Sequence, residues 1–422
     1  MIRSPFAAVT AGLMLASGVA SAGTTAAEST VWDDACKWLS SKPGVLYKNA
    51  DNPWIEEVNF SGRIQWQAAY LSGNDTKGYN FSDDYTDLRR FRLDTRISFL
   101  RWFGLRTEWN LAKDFRNATT RFPGNDAIHW GGEDFDVLAV SFDAAKAFNL
   151  KELDQLSVAY GRWETYISQE GRVSSKELLT VERSALANKI YEGFRPTGVR
   201  VEAAKGPWNA IAAVFSSDTN AVGGNVEGIG GWNDGVMYYG LVGYQVNKKL
   251  SFALEGMLNE ANGLKEDNLL PYKWTTSLSG VYKADPAGLV VDLILGDNGD
   301  AEQGNKALAR QGGFGGLVVT PYYWIVPQKL QGVVQYQFAA SEEDQGIRAY
   351  SRYFRADHGP HVNVNKGYGD EHHELYAGLN WYLCGHNLKV QGGVQYEWLN
   401  TPGAGTGDAT ALTWLLGLRS FF

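Results

Sequence analysis

The chain has 422 residues, of which 47 are acidic and 39 basic, so its formal net charge is −8. This balance argues against a nucleic-acid-binding protein, because such proteins carry an excess of basic side chains. Glycine accounts for 48 residues and aromatic residues for 13%, and the mean hydropathy is −0.29. After residue 22, no uninterrupted apolar run reaches the ~20 residues of a membrane-spanning helix.

The N-terminus has the pattern of an export signal. Arg3 precedes an apolar run over residues 6–20, and residues 20–22, Ala-Ser-Ala, form a small-x-small cleavage pattern. We therefore expect residues 1–22 to be a removable signal peptide and the mature chain to begin near Gly23. The alternative, a short membrane anchor, requires a longer apolar run.

The rest of the chain alternates apolar and polar side chains with a period of two, as strands with one face in lipid do. In the first such segment, Ile64 and Trp66 share one face, while Arg63 and Gln65 share the other. About sixteen segments are predicted, and an even number returns both termini to one side of the membrane. In chain order they cover residues 58–72, 85–101, 103–117, 133–146, 153–167, 194–205, 207–218, 233–247, 248–260, 270–283, 287–298, 311–323, 328–341, 371–383, 386–400 and 408–422.

Short and long connections alternate between these segments. The short ones lie at residues 102–103, 205–207, 247–249, 284–286, 326–328 and 384–386. The long ones include residues 73–84, 118–132, 168–193, 218–232, 299–310 and 342–370. This asymmetry is typical of short periplasmic turns and long extracellular loops. A soluble β-sandwich or propeller gives no reason for it.

These patterns predict an all-β fold, a transmembrane antiparallel β-barrel of about sixteen strands over residues 58–422. Residues 23–57 form a predicted periplasmic N-terminal segment. The last segment, 408–422, ends on two phenylalanines, Phe421 and Phe422, and so resembles the terminal strand of outer-membrane proteins. We expect the protein to lie in the bacterial outer membrane, with outer-membrane lipid around it.

The two cysteines fall on the same predicted side of the membrane. Cys36 precedes the first strand, and Cys384 lies in a short turn, which the alternation of connections independently places on the periplasmic side. Exported proteins form disulfides readily, and the spacing of these cysteines fits neither a zinc ribbon nor a redox motif. We therefore predict a Cys36–Cys384 disulfide; two free, buried thiols are the alternative.

Because successive side chains of a strand point to opposite faces, which we call strand parity, a row of arginines should face the lumen. Arg90, Arg92 and Arg96 share the polar face of the second segment. The same parity turns Arg63 and Arg106 inward on the two neighbouring segments. Stripes of arginine in a lumen favour anions, so we predict that these side chains line the pore and bind anions.

Acidic residues allow a second interpretation of the arginines in the lumen. The arginines can simply pair with Asp94, Glu108 and loop acids, which would keep the lumen polar without making it selective. In addition, parity turns Glu255 and Asp292 inward from a more distant part of the wall. A basic wall that faces acids produces a transverse field, as in general diffusion porins.

One stretch resembles a known family, the porin O and P family of phosphate- and polyphosphate-selective porins. It begins with Gly161 and Trp163, continues through the serine pair 174–175, and contains the motif Glu182-Arg183-Ser184. Two further stretches, LRRFRLDTRISF from residue 88 and residues 374–399, are also similar to that family.

The resemblance implies a homotrimeric barrel that passes small anionic solutes, with residues 168–193 as a loop that constricts the pore. It also implies that Arg183 belongs to the anion-binding set. The family often has Lys-x-Pro-Phe after Gly-x-aromatic, whereas this chain has Glu164-Thr165-Tyr166-Ile167. We therefore expect anion preference rather than strict phosphate specificity.

Other chemistry is not indicated by the motifs. His358, His361, His372 and His373 match no helix-borne metal motif, so we expect exposed loop histidines and no metal site. No catalytic triad, phosphate-binding loop or dinucleotide fingerprint is recognisable, so we expect neither cofactor nor enzyme activity. The alternatives that remain are a general or sugar-type diffusion porin, a barrel enzyme, and a surface anchor or adhesin.

Overall fold

The alternating segments pair edge to edge into one closed antiparallel sheet. The structure is a computed structural model that describes residues 31–41, 43–111, 135–191, 195–217, 235–261, 272–299, 311–348, 351–356, 358–402 and 407–422. The expected signal peptide, the long connections expected over 118–132 and 218–232, and residues 300–310 of the connection expected over 299–310 lie outside these residues. Among the described residues, no helix combines the length and the apolar character needed to span a bilayer.

The elements have the following bounds. The strands are β1 (Val45–Lys48), β2 (Ile55–Asn74), β3 (Asn80–Phe99), β4 (Phe103–Asn110), β5 (Phe135–Asp143), β6 (Gln155–Arg162), β7 (Thr197–Lys205), β8 (Trp208–Ser216), β9 (Gly235–Asn247), β10 (Leu250–Ala261), β11 (Trp274–Ala284), β12 (Ala287–Asp297), β13 (Gly313–Val326), β14 (Leu330–Ser341), β15 (Ile347–Arg348), β16 (Tyr368–Gly369), β17 (Glu371–Tyr382), β18 (Leu388–Asn400) and β19 (Ala409–Phe421). The helices are α1 (Val31–Ser40), α2 (Ala144–Ala147), α3 (Gln169–Arg172) and α4 (Ala185–Tyr191), and a 3₁₀ turn spans Asn365–Gly367.

Sixteen of these strands form the barrel: β2 to β14 in sequence, then β17, β18 and β19. Each pairs with its neighbours, and β19 pairs with β2 to close the sheet. Closure leaves no strand edge with unpaired backbone groups, which lipid would penalise. The predicted fold is confirmed, and each of the sixteen predicted segments corresponds to one barrel strand.

The barrel wall shows the alternation that the sequence predicted. In β10, Leu254 is 57% exposed on the outer face, whereas its neighbour Glu255 is 2% exposed on the inner face. Strand Cβ atoms point to opposite faces in turn, so a period-two sequence sorts itself between lipid and lumen. The two ends of the barrel are called here the short-turn end and the long-loop end.

One predicted connection is wrong. Residues 73–84 were expected to be a long loop, but β2 continues to Asn74 and β3 begins at Asn80, so only residues 75–79 connect them. Asp75 closes this turn by accepting hydrogen bonds from the backbone N–H groups of Lys77 and Tyr79, both at 2.8 Å. The ends of these two strands are polar and show little alternation of apolar and polar residues, and for this reason the sequence pattern predicted a loop there.

The N-terminal segment is fastened to the short-turn end. Helix α1 carries Asp33 and Asp34 in its first turn and Lys37 in its last, which complements the helix dipole. A disulfide joins Cys36 to Cys384, with the Cα atoms 5.0 Å apart, as the sequence suggested. Further along the chain, β1 pairs with β2.

We expect the disulfide to be present in the protein isolated from its native membrane. Alkylation of the denatured, unreduced protein should modify no cysteine, because both thiols are consumed, and reduction should expose two. The Cys36→Ser variant should expose one thiol without reduction. Two alkylated cysteines in the unreduced wild-type protein would contradict this expectation, and mass spectrometry distinguishes the three cases.

Candidate functional site

A segment between β6 and β7 leaves the wall and lies inside the barrel. Residues 163–191 are called the inward loop. At its start, Gly161 has φ of 142°, and a Cβ atom there would lie 2.2 Å from the carbonyl oxygen of Leu138, so the exit from β6 requires glycine. Within the loop, Ile167 and Val181 have no exposed surface. The loop therefore occupies the lumen, where the sequence predicted a constriction.

Two acidic side chains of the wall hold the first part of the inward loop. Glu255 accepts a hydrogen bond from the backbone N–H of Ser168 at 2.7 Å. Asp292 accepts from the N–H groups of Gln169 at 2.7 Å and Glu170 at 3.1 Å. These carboxylates meet the N-terminal end of α3, where unpaired N–H groups and the helix dipole favour negative charge. Their role is therefore to anchor the loop.

The opposite wall holds the middle of the inward loop by its carbonyl groups. Lys389 donates to the carbonyl oxygen of Leu178 at 2.8 Å, and Gln391 donates to the same oxygen at 3.1 Å. Arg419 donates to the carbonyl oxygens of Ser175 and Val181. The loop thus crosses the lumen, bonded through N–H groups on one side and carbonyls on the other.

The Glu182-Arg183-Ser184 motif binds the inward loop to itself and to β3. Ser184 donates through its N–H and hydroxyl to the two carboxylate oxygens of Glu170, at 3.0 and 2.6 Å. Arg183 is 4% exposed and donates to the carbonyl oxygens of Glu170 and Val173, at 2.9 and 2.8 Å. The structure therefore places Arg183 within the fold of the loop, rather than along an open wall.

Two of the predicted pore arginines belong to a buried ion-pair network. Arg63 lies 2.5 Å from Glu108. Arg92 lies 2.7 Å from Glu108 and 2.5 Å from Asp136. Each positive charge has a carboxylate partner at contact distance, so this part of the wall contributes little net charge. The reading in which arginines only pair with acids describes Arg63 and Arg92 well.

Glu164, the acid that departs from the family pattern, joins the same network. Its carboxylate lies 3.1 Å from Arg195 and 3.4 Å from Arg92. Burial raises the pKa of the Glu164 carboxyl, but Arg195 and Arg92 outweigh burial and hold that pKa below its usual value. The acid therefore stays ionised and neutralises arginines of the wall.

A β-bulge in β3 turns one further arginine into the lumen. Gln65 pairs with Arg90, whereas the next residue, Trp66, pairs with Leu88, so Arg89 is an extra residue. Its guanidinium lies 2.7 Å from Glu182 on the inward loop. If side chains alternated along β3 without a bulge, Arg89 would lie on the lipid face, so the sequence analysis did not predict it in the lumen. An arginine on the lipid face is energetically costly, and this cost could have indicated the bulge from sequence.

Arginines outnumber acids around Glu182. Burial raises the pKa of the Glu182 carboxyl, but Arg89, Arg90 and Arg352 together hold it well below its usual value. Arg419 also interacts electrostatically with this carboxylate. Arg90 is 4% exposed, and Gln65 accepts a hydrogen bond from it at 2.9 Å. These five side chains, four arginines and one glutamate, are called the Glu182 cluster.

The remaining predicted arginines lie nearer the short-turn end and meet solvent. The side chain of Arg96 is 63% exposed and that of Arg106 is 32% exposed, at 3.2 and 3.6 Å from Asp94. Lys176 of the inward loop lies near them. Burial, and then the nearby Arg63, lowers the pKa of Lys176 to about 8. These side chains place solvent-accessible positive charge at this mouth of the barrel.

The expectation of exposed histidines holds for His361 and fails for His358 and His372. The side chain of His358 is 1% exposed and lies 2.7 Å from Asp83, because residues 351–356 and 358–364 fold back onto the barrel mouth. His372 belongs to β17, points inward and has no exposed surface. The side chain of His373, the next residue of β17, is 37% exposed. The burial of His358 depends on the path of a long loop, whereas that of His372 follows from the alternation of inward and outward side chains along β17.

The fold agrees with comparisons to known proteins. A profile of the family described as phosphate-selective porin O and P matches residues 58–277. The search of curated protein sequences gave no significant match.

Three solved structures are similar. The trimer form of OmpT of Vibrio cholerae has 12% identity and a TM-score of 0.51, over 86% of this chain and 99% of that chain.

The other two are DcaP and a porin from Comamonas acidovorans. The outer-membrane channel DcaP of Acinetobacter baumannii has 14% identity and a TM-score of 0.53, over 89% of this chain and 99% of that chain. The anion-selective porin of Comamonas acidovorans has 14% identity and a TM-score of 0.52, over 86% and 99%. At these identities, the likeness concerns the fold.

A closed sixteen-stranded barrel with a loop folded into its lumen defines an outer-membrane channel protein. Because the family profile covers more than half of the chain, the protein belongs to the family of phosphate-selective porins O and P.

Loosening the anchor at Asp292 should widen the channel. The Asp292→Ala variant removes the acceptor of two loop N–H groups, so the inward loop should leave the wall more often. We expect a larger and noisier single-channel conductance in planar bilayers. Asp84→Ala, which removes an exposed carboxylate of β3, is the matched control and should behave as wild type. An unchanged conductance in Asp292→Ala would show that other contacts suffice to hold the loop.

Proposed function

We propose that this porin prefers small anions, with phosphate-like oxyanions included. The observation that carries the proposal is the Glu182 cluster, in which four arginines act electrostatically on one carboxylate of the inward loop. Guanidinium stays charged at any working pH and offers a planar fork of donors matched to carboxylate and phosphate oxygens. A charge excess at a constriction favours anions over cations.

The arginines paired with carboxylates and the arginines of the Glu182 cluster contribute differently to the charge of the lumen. Arg63 and Arg92 are paired with carboxylates at 2.5 to 2.7 Å, so they shape the wall without adding net charge. Arg89 and Arg90 belong to the Glu182 cluster, where Arg89 lies 2.7 Å from Glu182 and Arg90 donates to Gln65 at 2.9 Å. Selectivity is therefore assigned to this cluster and to the accessible mouth, a different set from the arginine row predicted from sequence.

The short-turn mouth supports the same preference. Arg96 and Arg106 share Asp94 as a partner, and Lys176 adds a third positive charge nearby. Partly exposed charges attract counter-ions over about one Debye length, roughly 8 Å at physiological ionic strength. An anion that enters from this side therefore meets an attractive field before it reaches the loop.

We also propose that the mature protein begins near Gly23 after export and assembles as a homotrimer. The export signal is the pattern of residues 1–22. OmpT, which shares the fold, has been solved in a trimer form. Among the alternatives, a barrel enzyme or an adhesin would conduct no ions in a planar bilayer. A general diffusion porin would conduct them with little preference.

Replacement of Arg89 and Arg90 tests the anion preference. The Arg89→Gln, Arg90→Gln double variant should lower the anion-to-cation permeability ratio about tenfold, since loss of two charges in a partly buried site costs more than ~1.4 kcal/mol of anion stabilisation. The reversal potential under a KCl gradient measures this ratio.

Lys248→Gln with Lys249→Gln is the charge-matched control, because both lysines are exposed in a short turn. It should leave the reversal potential unchanged. A wild-type channel that prefers cations, or a double variant at Arg89 and Arg90 with wild-type preference, would overturn the proposal.

The pH dependence should follow Lys176. With a pKa of about 8, this lysine is charged below that pH and becomes neutral as the pH rises to 9, so the anion preference should weaken over this interval. The charged groups that act on it are Arg63, Asp94, Glu108 and Arg96. In Lys176→Met, the reversal potential should be flat between pH 7 and 9. A wild-type profile that is equally flat would contradict the assignment.

A further inference from the structure

The inward loop divides the short-turn half of the lumen into regions of different chemistry. The wall of β2 to β4 carries arginines, whereas the wall of β12 to β17 carries aromatic and amide side chains. Between that second wall and the loop lies a cavity of about 250 Å³. We propose that this cavity binds a neutral sugar of monosaccharide size, a function separate from the anion preference.

Aromatic rings form one side of the cavity. Tyr322 and Trp324 point inward near the C-terminal end of strand β13, and Tyr382 points inward at the end of strand β17. The ring centres of Trp324 and Tyr382 are 5.0 Å apart with planes inclined at 45°, and His386 lies edge-on to Tyr382 at 5.1 Å. Rings inclined to one another form a concave apolar surface, which suits the C–H face of a pyranose.

Amide and hydroxyl groups form the neighbouring side. The carbonyl oxygen of Gln331 accepts from Asn380 at 3.0 Å and from the hydroxyl of Tyr382 at 2.9 Å. These two bonds fix the amide plane and leave the N–H groups of Gln331 as donors for a ligand. An apolar surface with a few oriented polar groups is the common composition of a small-molecule site.

The charges around the cavity favour a neutral occupant. Glu170, Glu177 and Asp292 line it, against one lysine, Lys283. Glu170 and Asp292 already accept hydrogen bonds from the inward loop, so neither carboxylate needs a donor from a ligand. The acidic excess disfavours an anion here, and a hydroxyl-rich neutral solute gives the remaining groups partners without burying a new charge.

The rim is also held in place. His386 and Tyr382 flank Cys384, whose disulfide to Cys36 ties this turn to the N-terminal segment. Asn387 of the same turn donates to the carbonyl oxygen of Leu39 at 3.2 Å. A site on restrained elements loses less conformational entropy when it binds its ligand.

Sugar-dependent block of the ion current tests the proposal. Glucose is added to the short-turn side of channels in a planar bilayer, and sorbitol, an open-chain polyol of similar size, corrects for viscosity. Glucose should reduce the conductance in a saturable manner beyond the effect of sorbitol. The measurement requires only that ions pass, so it is independent of whether the channel prefers anions.

Variants locate the site. Trp324→Ala should raise the half-blocking glucose concentration roughly tenfold through loss of one stacked ring, and Trp324→Phe should largely restore it. Trp102→Ala removes a partly exposed tryptophan at the same end of the barrel, outside the cavity, and should match wild type. If Trp324→Ala does not fold, Tyr322→Leu tests the same wall. Equal effects of glucose and sorbitol on wild type, or an unchanged block in both cavity variants, would overturn the proposal.

Discussion

The structure depends on one constraint, that backbone N–H and C=O groups in a bilayer need hydrogen-bond partners from the protein itself. The barrel meets it by closing β19 onto β2, which removes both edges of the sheet. Once the sheet is closed, the strand period assigns one face to lipid and the other to the lumen. The crowding of charged and amide side chains inside the barrel follows from this geometry.

That crowding explains how a long loop can lie in the lumen with many of its backbone groups hydrogen-bonded to the wall. Its N–H groups meet Glu255 and Asp292, and its carbonyl groups meet Lys389, Gln391 and Arg419. The wall therefore supplies donors and acceptors where the loop lacks partners of its own. The side chains that hold the loop are therefore engaged in hydrogen bonds to its backbone.

The lumen then acquires two kinds of surface. Ion pairs neutralise Arg63 and Arg92, whereas four arginines act on the Glu182 carboxylate and the side chain of Arg96 is exposed at the short-turn mouth. On the other side of the loop, the rings of Trp324 and Tyr382 border a cavity with an acidic excess. A single barrel can therefore present different environments to anions and to neutral solutes, because the loop separates them.

The sequence by itself determined the barrel, its sixteen strands and the inward direction of Arg63, Arg90 and Arg92, because the alternation of side chains along a strand is a local property of the chain. The expectation of an inward loop came from the family resemblance of residues 161–190. The short turn at residues 75–79 was not predicted, because a hairpin that extends beyond the lipid-facing zone no longer alternates apolar and polar residues. The tertiary structure decided the rest. The bulge that turns Arg89 inward depends on pairing with Gln65 and Trp66. The anchoring roles of Glu255 and Asp292, and the burial of His358, depend on where distant loops fold. Such contacts join residues far apart in sequence, and no local pattern encodes them.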